Sequence, residues 1–328
     1  MKTSSVIKNL LKLALVVGLL VFLTKKGFLS LEATRNAFQH LDLILPAVAL
    51  VFGSALLGVV RWRWLLEAQG LRLTYKRTLE LAFVGNFFNI ALPGAVSGDL
   101  IKAFYIGKEV EGKRAGAFGS ILFDRLVGVS ALVLVSAVAL MLNYHRFENS
   151  GLLAGIRLML IIAAICVVAF FSYLFLVRES FDPLLRAFQW AEQKMERLGS
   201  LTRIYEGVRT YHHHRWTVMK SLVLSIFVHC CVAFACYLFA LALGDLDISR
   251  WAVFIVTPLG LLVTAVPVFP AGVGTGHAAF GWLYQFLGSQ RGADVFSLYA
   301  LCQISLGAIG GLVYLRFKGL QKASTVLA

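Results

Sequence analysis

Along this chain the apolar positions come in long unbroken runs rather than in alternation or in a single helical stripe. Ala115 to Leu142, Leu152 to Val177, Val218 to Leu243 and Val295 to Leu315 hold few or no charges. Each reaches the roughly 20 residues that a helix needs to cross about 30 Å of hydrocarbon. A membrane barrel would instead require segments of about ten residues with strict in-and-out alternation. The pattern predicts an all-α, polytopic integral membrane protein with six full transmembrane helices, at 6–24, 43–60, 115–142, 152–177, 216–243 and 294–315. Two further apolar segments, 78–107 and 251–288, are interrupted by Pro and Gly and are read as re-entrant helical hairpins. Pro removes a backbone donor and Gly tolerates unusual dihedrals, so both segments break their helices within the membrane. Broken backbone at that depth must be surrounded by protein or line a watery cavity.

The resulting order is span, span, hairpin, span, then the same again with the second hairpin arriving from the other side. That is an inverted-topology repeat, 1–142 followed by 152–328, inside a single membrane domain covering 1–328. A weak echo supports it, since Leu92-Pro93-Gly94-Ala95-Val96-Ser97-Gly98 resembles Phe269-Pro270-Ala271-Gly272-Val273-Gly274-Thr275. Interrupted segments at matching positions of inverted halves point to a substrate site where their tips meet. The competing reading is that the hairpins only plug the bundle. Between the spans, 182–211 is expected to be a cytoplasmic amphipathic helix. Asp182-Pro183 opens it, and Leu184, Leu185, Phe188, Ala191, Met195 and Leu198 recur at helical spacing. It either attracts anionic headgroups or is a solvated connector.

Charge and composition then refine the picture. The chain is 59% hydrophobic, with a mean hydropathy of +0.79, more apolar surface than a soluble fold of 328 residues could hide. The net charge of +14 would suggest nucleic acid in a soluble protein, but here the basic residues sit in short loops. On the topology above, Lys25, Lys26, Arg35, Arg146, Arg157, Arg250 and Arg291 fall outside and Arg125 falls within a span. Every other Lys and Arg falls in cytoplasmic segments, as the positive-inside rule requires. Both termini are therefore expected in the cytoplasm of a multi-pass protein of a bacterial cytoplasmic (inner) membrane. Leu13 to Leu23 follows Lys2, Lys8 and Lys12 without a small-residue cleavage site, so it is read as an uncleaved first helix. The five cysteines all lie in apolar spans and lack ligand-type spacing; no disulfide, metal or cofactor is expected.

Asp124 and Arg125 are charged residues deep in an apolar span, about 15 Å from its cytoplasmic end. Such groups face a cavity or a partner. Because neighbours on a helix point about 100° apart, each should find a different partner. Arg125 matches a lipid phosphate through two parallel hydrogen bonds, or forms an ion pair with Asp99 or another helix. Asp99 either caps the returning helix of the first hairpin or meets a cationic headgroup while Lys102 meets phosphate. Asn86 and Asn89 offer neutral hydrogen bonds at the same tip or to another helix. Gly272 and Gly274 let backbone amides approach an anionic headgroup, and His277 adds a proton-sensitive contact or is simply a satisfied polar residue. No strand pattern and no Gly-Lys-Ser/Thr ending accompany this stretch, which excludes a nucleotide loop. Arg61-Trp62-Arg63-Trp64 reads as an interfacial anchor in which Arg63 is open to a further role. His212-His213-His214 is taken as exposed.

Together these residues resemble the transmembrane, flippase-like region of bacterial lysylphosphatidylglycerol synthases and its standalone relatives. The resemblance lies in Arg63-Trp64, in Asn89-Ile90-Ala91-Leu92-Pro93 followed by Gly98-Asp99-Leu100-Ile101-Lys102-Ala103, in Asp124-Arg125, and in Pro270 with Gly272-Val273-Gly274. It implies translocation of a membrane lipid with a phosphate-bearing headgroup, or assistance to an enzyme that makes or glycosylates a lipid. The chain departs from the family pattern at His277, where an acidic residue is common, and at Lys102, where Arg is common. Without the soluble aminoacyl-transfer domain, synthase activity is not expected. Three functions follow: a lipid transporter working by alternating access on a phospholipid or polyprenyl-linked species, a lipid-modifying membrane enzyme, or a non-catalytic partner of a lipid-synthesising enzyme.

Overall fold

The computed structural model describes residues 35–91, 97–109, 114–142, 151–178, 181–195, 199–265, 272 and 274–316. These residues form helices and no strands. In chain order they are α1 (Leu41–Ala68), α2 (Tyr75–Ala91), α3 (Ser97–Glu109), α4 (Arg114–Leu142), α5 (Gly151–Leu176), α6 (Pro183–Lys194) and α7 (Gly199–Arg209). A 3₁₀ turn, Thr210–His214, leads into α8 (Arg215–Ala242), followed by α9 (Arg250–Ala265), α10 (Thr275–Gln285) and α11 (Gly292–Arg316).

Five stretches are long and apolar enough to cross a bilayer: Leu41–Ala68, Ala115–Leu142, Ala154–Leu176, Leu201–Ala242 and Gly292–Arg316. They correspond to five of the expected spans, and the chain is a polytopic helical membrane protein. The expected span at 6–24 lies outside the described residues. So do residues 92–96, 266–271 and 273, where the interruptions of the two segments are expected, and both termini. α5 exposes most of its surface, with Leu158, Met159, Ile162, Ile165 and Val168 all over half exposed. Apolar side chains turned outward at this density belong against lipid.

The chain packs as two compact units, each drawing on both halves of the sequence. The first takes its described residues from 35–57, 76–102 and 228–316. In it α2 and α3 fold back on one another: Gly98 lies so close to α2 that an added Cβ would stand 1.9 Å from the Gly85 carbonyl oxygen. Gly85 in turn faces the aliphatic stem of Lys102, and Asn89 faces Gly98. Pairs 85 with 102 and 89 with 98 define an antiparallel helical hairpin. α9 and α10 make a second one, with Gly260 against the Phe280 ring and Gly272 against Thr264. Its two ends meet, because the Ser289 hydroxyl donates to the Asp245 carboxylate.

α11 packs against both hairpins through glycines. Gly292 sits under Phe280 and Tyr284 of α10, and Phe296 lies over Gly276. Farther along, Gly307 receives Ile90, and Gly310 faces the Phe83 carbonyl of α2. Small residues let helix backbones approach closely where no hydrophobic force drives association.

The second unit takes its described residues from 58–75 and 103–227. Its core joins Leu65, Phe123, Val127, Leu174, Val208, Tyr211 and Val218. Phe123 and Tyr211 stack with ring centroids 3.9 Å apart, and the Tyr211 hydroxyl donates to the Leu65 carbonyl at 3.0 Å. Gln69, just past α1, donates to the Gly207 carbonyl at 2.6 Å and lies beside Gly116. The chain therefore returns at the start of α4 to where it left α1. Residues 182–211 form two helices, α6 and α7, rather than one. Asp182 caps α6 by accepting from the Leu185 amide, with Pro183 in the first turn.

Candidate functional site

In the first unit, polar groups gather beside the turn of the first hairpin. The Gly98 amide donates to Asn89 Oδ1 at 2.8 Å, which ties the start of α3 to the end of α2. One turn on, Lys102 Nζ lies 2.6 Å from Asp99 Oδ1, with both side chains largely buried. Asp99, in the first turn of α3, faces the positive end of the helix dipole as well as Lys102. Asn86 is half-buried one turn earlier on α2, its carbonyl facing Gly307. Asp99 and Lys102 thus pair on α3 while Asn89 holds the preceding Gly98, and the Lys102 stem crosses Gly85 to reach the carboxylate.

The second hairpin is organised differently. Gly272 and Gly274 have φ of 68° and 89°, left-handed values that a side chain would oppose. The Gly274 amide donates to His277 Nδ1 at 3.3 Å, and His277 Nε2 is 3.1 Å from Ser297 Oγ. Since Nδ1 accepts, the neutral ring carries its proton on Nε2 and donates it to Ser297, whose hydroxyl donates to the Ala293 carbonyl. His277 thereby fixes the start of α10 against α11.

Each hairpin meets α11 from a different end. From Tyr284 to Gly276 on α10, the facing residue on α11 moves from Gly292 to Phe296. From Phe83 to Ile90 on α2, it moves from Gly310 back to Gly307. Both hairpins therefore advance toward the same middle stretch of α11. The gap from Ser297 to Gly307 is about 15 Å of helix rise. In that stretch Gln303 donates to the Tyr299 hydroxyl at 2.8 Å.

In the second unit Asp124 is gripped by Arg61, Nε to Oδ1 at 2.8 Å and Nη2 to Oδ2 at 3.1 Å, while Arg61 Nη1 donates to Ser225 Oγ at 2.8 Å. This bidentate pair joins α1, α4 and α8, and both side chains are at most 15% exposed. Asp124 thus takes a partner from another helix. Arg125 turns away to the exposed face of α4, with Leu122 and Val129. Arg63 pairs with Glu67 at 3.0 Å one turn along its own helix and is about one third exposed. The anchor reading of Trp62 is corrected: α1 continues to Ala68, past the expected end at 60, so Trp62 is 2% exposed and faces the packed interior.

Sequence reasoning missed one buried cluster. Asp182 is fully buried and Arg209 is 4% exposed, with Nε 2.8 Å from Oδ2. The hydroxyls of Tyr173 and Tyr205 donate to the same carboxylate, and Arg209 also donates to the carbonyls of Leu174 and Val177. Burial alone would push the Asp182 carboxyl up. The Leu185 amide, the two phenols and the Arg209 charge outweigh it and hold the group below its ordinary value of 3.8. The only sequence signal was the Asp-Pro helix start; the tyrosines and arginine are 9 to 27 positions away. Among the described residues no three His, Cys, Asp or Glu side chains gather as a metal site.

Similar proteins share most of the chain's length. A UPF0104 membrane protein of Pyrococcus horikoshii is 22% identical over 300 residues, covering 86% of this chain and 89% of its own. Two UPF0104 membrane proteins of Methanothermobacter thermautotrophicus are 24% identical over 313 residues and 23% over 264, covering 88% and 75% of this chain and 85% and 75% of their own. No solved structure matches it. The model of the lysylphosphatidylglycerol synthase TM region matches residues 9–309, and the chain belongs to that family.

Proposed function

We propose that this protein moves a phosphate-bearing lipid, a phospholipid or a polyprenyl-linked species, between the leaflets of its membrane by alternating access. The observation that carries the reading is the approach of two helical hairpins to the middle of α11 from its opposite ends. In a bilayer, hairpins so arranged are re-entrant, and their broken turns create polar backbone that must line a protein-walled or watery cavity. A headgroup received there leaves its acyl tails in the surrounding lipid. Hairpins based at opposite membrane faces also give the inverted repeat that allows access to alternate. Lys102 supplies the cation for phosphate, and Asp99 balances it until the headgroup arrives. Asn89 and the glycines at 272 and 274 hold the turns in shape, and Arg125 meets a headgroup from the exposed face of α4. Both termini are cytoplasmic on this reading, as the basic loops require. The family's name, which refers to a phospholipid, favours a lipid substrate.

A second reading, a membrane partner for a lipid-synthesising enzyme, draws on the same name, since that family is called the TM region of a synthase. Reconstitution separates the two. Purified protein in liposomes carrying fluorescent anionic, zwitterionic or aminoacylated lipids is expected to speed the exposure of inner-leaflet label for at least one class. Lys102→Met keeps the stem over Gly85 but removes the charge, and it is expected to slow that rate roughly tenfold or more, the worth of one charged hydrogen bond. No acceleration for any lipid class would overturn translocation and leave the partner reading.

A further inference from the structure

Away from the hairpin turns, a groove of about 460 Å³ opens among the second half of α3, the first turns of α4, and α7. Small residues, Ala103 and Ala115, leave the space, and Phe104, Phe118 and Ile204 wall it with apolar surface. Among the described residues, the ionisable groups that line it are Lys108 and Arg203, both exposed. The Lys108 ammonium stands 4.1 Å from the centre of the Phe104 ring, so charge and apolar wall adjoin directly. Among the described residues, the nearest carboxylates along the chain, Glu109 and Glu206, do not line the groove. Its α4–α7 wall is fixed by close packing of Gly119 on Gly207 and by the bond from Gln69 to the Gly207 carbonyl.

The depth of the groove decides what fits it. Ala115 is the first residue of an apolar span, and Phe118 lies about 4.5 Å further in by helical rise. With the first residue of that span set at the membrane surface, the groove straddles the level where lipid phosphates give way to acyl chains. Phe104 is 53% exposed, so the apolar wall runs out onto the surface of the protein. Its volume falls within the usual range for small-molecule pockets. Two cations at headgroup level favour an anionic lipid over a zwitterionic one.

We infer that an anionic phospholipid of the adjoining leaflet docks in this groove, its phosphate against Lys108 and Arg203 and one acyl chain along Phe104, Phe118 and Ile204. The site needs only that the protein is embedded in a membrane, so it stands whether or not the protein translocates lipid. Native mass spectrometry of protein released from nanodiscs tests it, with discs of phosphatidylcholine alone compared with discs of phosphatidylcholine and phosphatidylglycerol at 3:1. The wild type is expected to retain phosphatidylglycerol in preference to phosphatidylcholine. The double variant Lys108→Gln/Arg203→Gln, which alters exposed side chains only, is expected to lose that preference by roughly tenfold or more. Ala115→Phe fills the groove and keeps both charges, and it is expected to reduce retention as well. Equal retention by the wild type and the charge variant would overturn the proposal. Undiminished retention by a folded, monodisperse Ala115→Phe protein would also overturn it, because diffuse attraction to a basic surface would then suffice.

Discussion

At the scale of single residues, two buried ion pairs carry the largest local energies. Arg61 and Asp124 are at most 15% exposed, so removing one partner leaves the other largely buried without its charge partner. Asp124→Leu alone is expected to lower the melting midpoint in detergent by several degrees, from an uncompensated charge worth about 3 kcal/mol. The double variant Arg61→Met/Asp124→Leu should recover most of that loss, since an apolar pair of similar size costs little. Equal losses in the single and double variants would show that the pair has no net coupling. The Asp182–Arg209 pair adds a pH signature. Its carboxyl is held below 3.8 in the folded protein, so its contribution is present at pH values above that and is lost as pH falls through the depressed value. Asp182→Asn should therefore be destabilised by about 3–5 kcal/mol at neutral pH, with the gap to wild type closing only below about pH 4. A gap that closes between pH 5 and 7 would assign the titration to another group.

At the scale of elements, glycines set how closely the helices approach. Gly98 faces backbone, which cannot rotate away, so Gly98→Ala must push α2 and α3 apart. We expect this variant to lose roughly 1–3 kcal/mol or more and to lower transport with it. Gly58 has no neighbour within 4 Å of its would-be Cβ, and Gly58→Ala should be neutral or slightly stabilising, as helix propensity dictates. A thermal scan that ranks the two variants the other way would refute the packing described for the first hairpin. These elements also show what the sequence could disclose. The long spans were legible because charge-free runs of about 20 residues have few alternatives in water. The interruption of 78–107 and 251–288 was legible because Pro and Gly break helices for local reasons. The partner of Asp124 was legible only as a demand, since a carboxylate inside a span needs a cation, but its choice of Arg61 is made by the packing of α1 on α4. Nothing local marks Gly307 or Gly310 as contacts of α2, or Tyr173 and Tyr205 as donors to Asp182, because these meetings are made by tertiary packing. The groove with Lys108 and Arg203 was invisible for the same reason.

At the scale of the whole molecule, the proposed orientation rests on the distribution of charge along the chain. The segments around α6, α7 and the 3₁₀ turn carry Arg178, Arg186, Lys194, Arg197, Arg203, Arg209, Arg215 and Lys220, which on the proposed topology places them on the cytoplasmic side. The two ends of the second hairpin, joined by Ser289 and Asp245, instead carry Asp245, Asp247 and Asp294 against Arg250 and Arg291. α8 runs between these two regions and is long enough to cross. A hairpin whose ends meet returns the chain to the face it left, so the proposed topology is expected to place residue 290 outside and residue 189 inside. The check uses a chain with its five cysteines replaced by alanine and a single new cysteine at an exposed position, Gln189→Cys or Gln290→Cys. A membrane-impermeant maleimide applied to intact cells should label only Gln290→Cys, and applied to inside-out vesicles should label only Gln189→Cys. Labelling of both from one face would mean that 251–285 crosses as a single broken span. The proposed basing of the hairpins at opposite membrane faces would then fail, and alternating access built on an inverted repeat would have no geometric basis.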